Sequence, residues 1–361
     1  MKTLRQILSE SRAGFGPFPR ALQGGLKSAL LGLVAAAASA ASAAVPAPAR
    51  DFFICANINR NYVIGSKIET INGVYQRDDA GGWKHIGYND TGITAVAFDP
   101  RDRNVCYTSA FNGLWRTLDG GKTWRMCNGW DMTEGRDVAV DPNAPDHVYL
   151  ALPDGVAVST DRAQTLVRRE KGLPARGKYT QAIKVDRTRA GRVLAACEIG
   201  IYLTENGAQS WRRVFPTKET VTDIQQSPHD PKLWLAATQS AGALVSRDGG
   251  LTWEKFAGVP ATNALYNITF DVTNPQRFAI GSWALGVLTT EDAGKTWTAR
   301  NAGLPEPHRV WRVGVDPLGR LYASVVSETL FVSDDFGRTW TRDALEGSVV
   351  NNFLILPRAE Q

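Results

Sequence analysis

One twelve-residue phrase recurs along this chain at nearly even spacing, and that period limits the folds open to it. "GLWRTLDGGKTW" at 113–124 returns as "GALVSRDGGLTW" (242–253), "GVLTTEDAGKTW" (286–297) and "TLFVSDDFGRTW" (329–340). Two worn copies, "GIYLTENGAQSW" (200–211) and "GVAVSTDRAQTL" (155–166), and a shorter one, "GVYQRDDAGGW" (73–83), complete the series. The acidic or amide position falls at Asp79, Asp119, Asp161, Asn206, Asp248, Asp292 and Asp335, in steps of 40, 42, 45, 42, 44 and 43 residues.

Each unit has the same internal grammar. An alternating run such as "TAVAFDP" (94–100) precedes a second, "NVCYTSA" (104–110). A third, "GLWRT", enters the acidic turn, and a fourth begins at the Trp. Alternation rich in Val, Phe, Tyr and Thr, punctuated by Gly, Asp and Pro, predicts strands and turns. The expected fold is therefore all-β: a seven-bladed β-propeller of four-stranded antiparallel blades, in which radial stacking leaves only short edges. The last segment, "VVNNFLILP" (349–357), reads as a first strand, and "DFFICANI" (51–58) as a second. The C-terminal strand is thus expected to complete the N-terminal blade and close the ring.

The first residues stand outside this pattern. Lys2, Arg5, Arg12, Arg20 and Lys27 face a single acid, Glu10, before the uncharged run "SALLGLVAAAASAASA". A basic stretch, a short apolar stretch and Ala41-Ser42-Ala43 read as a secretory signal over 1–43, with 44–361 as one propeller domain. The alternative is a retained membrane anchor, for which the apolar run is short. Export to the periplasm or the extracellular space follows from the signal. The whole chain has 41 basic and 36 acidic residues; without 1–43 the balance is 36 against 35. No basic tract remains for nucleic acid or a membrane surface, so neither is expected as a partner. Export permits disulfides, but the spacing of Cys55, Cys106, Cys127 and Cys197 selects no pairing. The four histidines are scattered, no zinc-ligand spacing occurs, and no metal or cofactor is expected.

The phrase Ser/Thr-x-Asp-x-Gly-x-Thr-Trp resembles the Asp box, or BNR repeat. Its physics is that of a turn: the carboxylate accepts N–H groups across its own loop, Gly supplies a positive φ, and Trp buries a ring between sheets. The seven acidic or amide residues named above are accordingly read as turn locks. A calcium site there would have too few hard ligands. The resemblance implies that the box joins the third and fourth strands, on the face opposite the usual binding mouth. The turns after the first strands, such as "FDPRDRN" and "VDPNAPDH", share that lower face.

Function is then sought on the upper face. The first strands align on their last residue. Three residues earlier stand Val96, Val138, Ile183, Ile224, Ile268, Val313 and Phe353, an apolar ring that packs between blades. One position earlier stand Ala95, Asp137, Ala182, Asp223, Asn267, Arg312 and Asn352; before those stand Thr94, Arg136, Gln181, Thr222, Tyr266, Trp311 and Asn351. The polarity gathers at the upper rim of the channel. Arg136, Gln181, Thr222, Tyr266, Asn267, Trp283, Trp311, Arg312 and Asn352 are the candidate ligand contacts. Asp131, Glu134, Lys178, Tyr179, Glu198, Lys218, Glu219, His308, Arg309 and Glu328 extend the list on loops. Trp130 and Tyr62 offer further rings, the latter in a long insertion at 59–72 that is expected near the mouth. Asp137 and Asp223 are the candidate acid and base if the chain is an enzyme; the other reading pairs them with arginines along a water-filled channel.

Asp-box propellers include sialidases, xyloglucan hydrolases, sortilin-type receptors and photosystem II assembly factors. The Arg-Ile-Pro stretch of sialidases is absent. "DPRDRNVCYTSAFNGLWRTLDGGKTW" (99–124) and "NAGLPEPHRVWRVGVD" (301–316) look like xyloglucan hydrolases, whose resemblance implies two propellers, a cleft between them and an Asp pair. The single exported propeller is most similar in format to the photosystem II assembly factors, which implies a non-enzymatic binder. The expected function is a monomeric, non-catalytic binding or assembly module for a protein or carbohydrate partner at the upper face, with glycan hydrolysis by Asp137 and Asp223 as the alternative.

Overall fold

A computed structural model describes residues 50–58, 72–89 and 92–357. The signal expected over 1–43 and the insertion with Tyr62 lie outside the described residues, apart from Asn72. All regular structure among the described residues is strand, in seven four-stranded antiparallel sheets. The first blade has the order β28 (Ser348–Pro357), β1 (Arg50–Ile58), β2 (Gly73–Arg77), β3 (Trp83–Ile86). The C-terminal strand therefore forms the inner edge of the N-terminal blade. It runs antiparallel to β1 from Arg50↔Pro357 to Ile58↔Ser348.

The other six blades each begin with an inner strand. These are β4 (Ile93–Asp99), β8 (Asp137–Val140), β12 (Thr180–Val185), β16 (Val221–Gln226), β20 (Leu265–Phe270) and β24 (Val310–Val315). Each packs beside the next, and β28 packs beside β4, so the ring is closed. Inner strands start at what is here called the upper face and end at the lower one. The outermost strands are short and exposed, two residues long in most blades, as in Arg125–Met126 and Thr298–Ala299.

No backbone ladder joins one blade to the next, so apolar side chains must. Buried clusters span neighbouring blades: Leu235 and Val245 of the fifth meet Ile268 and Phe278 of the sixth. Val158 of the third meets Ile183 of the fourth. Trp211 and Trp340 are buried among such groups, and Trp234 is wholly buried. The other box tryptophans, Trp83, Trp124, Trp253 and Trp297, are half-buried. Cys106, Cys127 and Cys197 are free thiols.

The acidic turns are built by side chains. Thr117 Oγ1 donates to Asp119 Oδ1 (2.8 Å), and Asp119 accepts the Thr123 N–H (2.9 Å) and the Thr123 hydroxyl (2.6 Å). The same bonds recur at Asp161, Asp248, Asp292 and Asp335; at Asn206 the amide oxygen accepts the Ser210 N–H, while the amide nitrogen donates to the Ser210 hydroxyl. The two residues after the acid hold positive φ, not only at Gly120 and Gly121 but at Arg162 and Ala163, where no glycine is present. The box bonds hold those side chains in a region that non-glycine residues seldom adopt. In the first blade, counting back from the Trp selects a different acid from the one expected. Asp78, not Asp79, stands five residues before Trp83, and its Oδ1 accepts the Gly82 N–H at 2.6 Å. The shorter loop had shifted the apparent alignment by one.

The hydroxyl and N–H of Thr123, then the Thr117 hydroxyl, hold the Asp119 carboxyl at about 2, and Asp161, Asp248, Asp292 and Asp335 lie at about 2 as well. Unfolded aspartate titrates near ~3.9. These locks are therefore complete above about pH 4 and are lost as pH falls toward 2. Tryptophan fluorescence followed across that window should show unfolding in one cooperative step. Thr123→Val should move the Asp119 titration upward toward the ordinary value, as read by carboxyl NMR.

Candidate functional site

A regular strand sends successive side chains to opposite faces. Each inner strand breaks that rule near its upper end. Its pairing with the adjacent strand skips Thr94, Gln181, Thr222, Tyr266, Trp311 and Asn351 in the respective blades. In the third blade the Arg136 N–H donates to Ala151 O (2.9 Å), although Ala151 is the ladder partner of Asp137. One extra residue per strand is a β-bulge, which re-aims its side chain. The upper ring of polarity seen in the sequence consists of these residues and the ones that follow them.

Most of that polarity is used between blades. Thr94 Oγ1 donates to Gly135 O (2.8 Å), Thr222 Oγ1 to Leu265 O (2.6 Å) and Asn351 Nδ2 to Ile93 O (2.8 Å), each in the following blade. The next position works likewise. Asp137 Oδ2 accepts the Ile183 N–H (3.0 Å), Asp223 Oδ2 the Ile268 N–H (3.1 Å), and Asn267 binds both the N–H and the carbonyl of Val313 (2.9 and 2.7 Å). Arg312 Nε donates to Asn351 O (3.1 Å), and its guanidinium also reaches Tyr266 O.

The two candidate carboxylates differ in their surroundings. Asp137, buried, pairs with Lys184 Nζ at 2.7 Å. Asp223, also buried, takes the Gln225 amide at 3.0 and 3.3 Å. Burial raises the Asp223 carboxyl, against the opposing fields of Arg312 and Lys184. Burial likewise lowers the Arg312 guanidinium, against Asp223 and Asp137. Both acids border an upper channel cavity of only about 80 Å3, together with Arg136, Gln181, Thr222, Asn267 and Asn352. Ligand pockets more often measure ~300–1,000 Å3. Lys184 and Gln225, the partners of the two acids, lie beyond the positions that sequence alignment singled out.

The accessible chemistry of the upper face lies beside the channel, over the sixth and seventh blades. The Tyr266 ring packs 4.6 Å from Trp311 and 6.0 Å from Trp283, which is 39% exposed. Arg309 lies 6.0 Å from the Trp283 ring centroid, and Arg312 lies 4.9 Å from that of Trp311. Trp311 is fixed by its Nε1, which donates to Asn351 Oδ1 at 3.0 Å. The Arg309 N–H holds the Trp283 carbonyl at 3.2 Å and ties the two blades at this point. Three aromatic rings and the exposed Arg309 guanidinium thus make one platform, with Arg312 beneath it. Of the remaining candidates, Arg136 lies 5.1 Å from the Tyr179 ring centroid, while Trp130 is 91% exposed. Lys178 pairs with Glu170, Asp131 with Arg168, His308 with Glu306 and Glu328 with Arg342.

Residues 331–342, spanning the seventh acidic turn, match the BNR/Asp-box repeat family. The chain is an Asp-box β-propeller. Over 221 residues the propeller is 27% identical to an oligoxyloglucan-reducing end-specific xyloglucanase of Emericella nidulans, across 57% of this chain and 24% of that protein. Its fold is similar to the GH74 enzyme of Niastella koreensis, with a TM-score of 0.65 at 15% identity, over 81% of this chain and 55% of that one. It is also similar to YCF48 bound to D1 peptide, with a TM-score of 0.53 at 18% identity, over 70% and 82% of the two chains. The propeller spans about a quarter of the curated relative and about half of the GH74 chain.

Removing the charge from each acid separates the two environments. Asp137→Asn leaves Lys184 without its partner and should cost about 1–3 kcal/mol. Asp223→Asn relieves a buried carboxylate, and Asn267 shows that an amide serves in the equivalent place one blade on. That variant should lose less than about 1 kcal/mol. Paired thermal melts test the ordering.

Proposed function

We propose that this propeller is an exported, non-catalytic binding or assembly module, and that a protein or glycan partner docks on the upper face over Trp283, Tyr266, Trp311 and Arg309. The observation that carries this reading is the division of labour at the upper rim. The carboxylates that hydrolysis would need are engaged with neighbouring blades, while one flat ring, Trp283, and one guanidinium, Arg309, are exposed beside them. Aromatic and arginine side chains are the usual anchors of protein partners, and exposed rings also stack on sugar faces. Export rests on the basic-then-apolar leader with its Ala41-Ser42-Ala43 end. YCF48, a propeller of similar fold, has been solved with a bound peptide.

A second reading, glycan hydrolysis by Asp137 and Asp223, is favoured by one observation: the raised carboxyl of the buried Asp223, a property of catalytic acids. The narrow channel and the Lys184 pair weigh against it.

Peptide and glycan arrays probed with the intact chain should yield ligands whose affinity falls at least about tenfold, or about 1.4 kcal/mol, in Trp283→Ala and in Arg309→Ala. Binding that is indifferent to both variants would remove the platform from the reading. Hydrolysis of a xyloglucan oligosaccharide that disappears in Asp223→Asn would favour the enzyme instead.

A further inference from the structure

A space wider than the upper cavity lies lower in the propeller. Below Asp137, Lys184, Gln225, Asn352 and Phe353, which border both spaces, the channel opens into a cavity of about 1020 Å3. It faces the lower side and is bordered by the turns that follow the inner strands of the second, third and fourth blades. Its walls include six half-buried apolar side chains: Phe98, Val140, Val185, Phe353, Leu354 and Leu356. An apolar hollow of this size is of ligand-binding dimensions.

The charge around it is uneven. Four cations, Arg101, Arg103, Lys184 and Arg187, line the cavity with two carboxylates, Asp102 and Asp137. Arg101 is taken by Asp99 and Asp146, and Lys184 by Asp137. Asp102 accepts the N–H and the amide of Asn104. Arg103 and Arg187 remain. Arg103 donates to Pro357 O and lies 5.6 Å from the Phe98 ring centroid; Arg187 donates to Ser227 O. Among the described residues neither is in an ion pair. Burial lowers both guanidiniums, against the fields of Asp51 on the first and of Asp186 and Asp230 on the second. A half-buried guanidinium with carbonyl partners alone is short of the planar anion that suits it best. At the inner end, Asn352 Oδ1 is buried with no hydrogen-bond donor among the described residues.

We propose that the lower cavity is a binding site for a small amphipathic anion, a medium-chain carboxylic acid, with its chain against the apolar walls and its carboxylate drawn to Arg103 and Arg187. The two requirements are separable. The walls reward apolar length in proportion to the area removed from water. The guanidiniums reward charge and confer a dependence on salt. The site is distinct from the upper platform and needs no step of catalysis.

Calorimetric titration of the intact chain with decanoate, kept below its micellar range, tests this. Decanoate should bind at a single site, and decanol and acetate about tenfold or more weaker, because each lacks one of the two features. The variant carrying Arg103→Gln and Arg187→Gln should lose about tenfold or more, whereas Lys232→Gln with Lys255→Gln, which removes two charges from exposed positions, should not. Leu354→Gln should weaken decanoate while the folded fluorescence spectrum is retained. Equal affinity for decanol and decanoate would reduce the observation to unspecific apolar adsorption and overturn the proposal. Undiminished binding in the double arginine variant would overturn it too.

Discussion

The extra residue in each inner strand is the constraint on which the upper half of the molecule depends. The blades are separate sheets, with no backbone ladder between them. A ring built that way would hold together through apolar contacts alone, and its inner edges would present unpaired N–H and C=O groups to one another. The bulge changes this. It breaks the alternation and brings neighbouring polar side chains to the joint, where Thr94, Thr222 and Asn351 reach carbonyls of the next blade and Asp137, Asp223 and Asn267 reach its N–H groups. Each bond satisfies a buried backbone group that no strand can serve, which is worth more than the same bond at a wet surface.

From this follows the chemistry of the channel. Carboxylates at joints are held by backbone donors, and the one without a lysine partner, Asp223, is raised by its burial. Arg312 stands among these acids and joins three strands: it lies on β24, donates to Asn351 of β28 and reaches Tyr266 of β20. Such a network fixes the spacing of blades at the top of the ring. It also narrows the passage there, because the side chains that make the joints occupy its space. The aromatic platform lies beside the axis rather than on it: Tyr266 and Trp311 are bulge residues whose rings pack together, and Tyr266 also meets Trp283.

Much of this architecture was legible in the sequence, because a repeat of about 43 residues with a fixed turn phrase leaves few alternatives to a ring of sheets. The closure by the last strand was legible for a related reason: one unit began a strand late and the chain ended a strand long. In the first acidic turn the phrase alone does not say whether a short loop loses a position before or after its acid; the structure shows Asp78, five residues before Trp83, accepting the Gly82 N–H. The rim residues were recognised as a polar ring, but their partners were not, because those are backbone groups one blade away. Nothing in a side-chain pattern marks a carbonyl as needing a donor. Trp115 is half-buried on its strand, which shows how little strand membership alone says of burial in the outer part of a blade.

The lower cavity lay beyond such reasoning altogether. Phe98, Leu354 and Leu356 read as ordinary strand residues, and Arg103 and Arg187 as ordinary turn residues; only the ring brings them to one space. Its width is the complement of the joints above. Below the bulges the walls carry Phe98, Val140, Val185, Phe353, Leu354 and Leu356. The two ends differ in kind: the upper one is polar, narrow and committed to holding the blades, with its accessible groups displaced onto a flat surface, and the lower one is wider, with apolar walls and two arginines, Arg103 and Arg187, that no carboxylate pairs among the described residues.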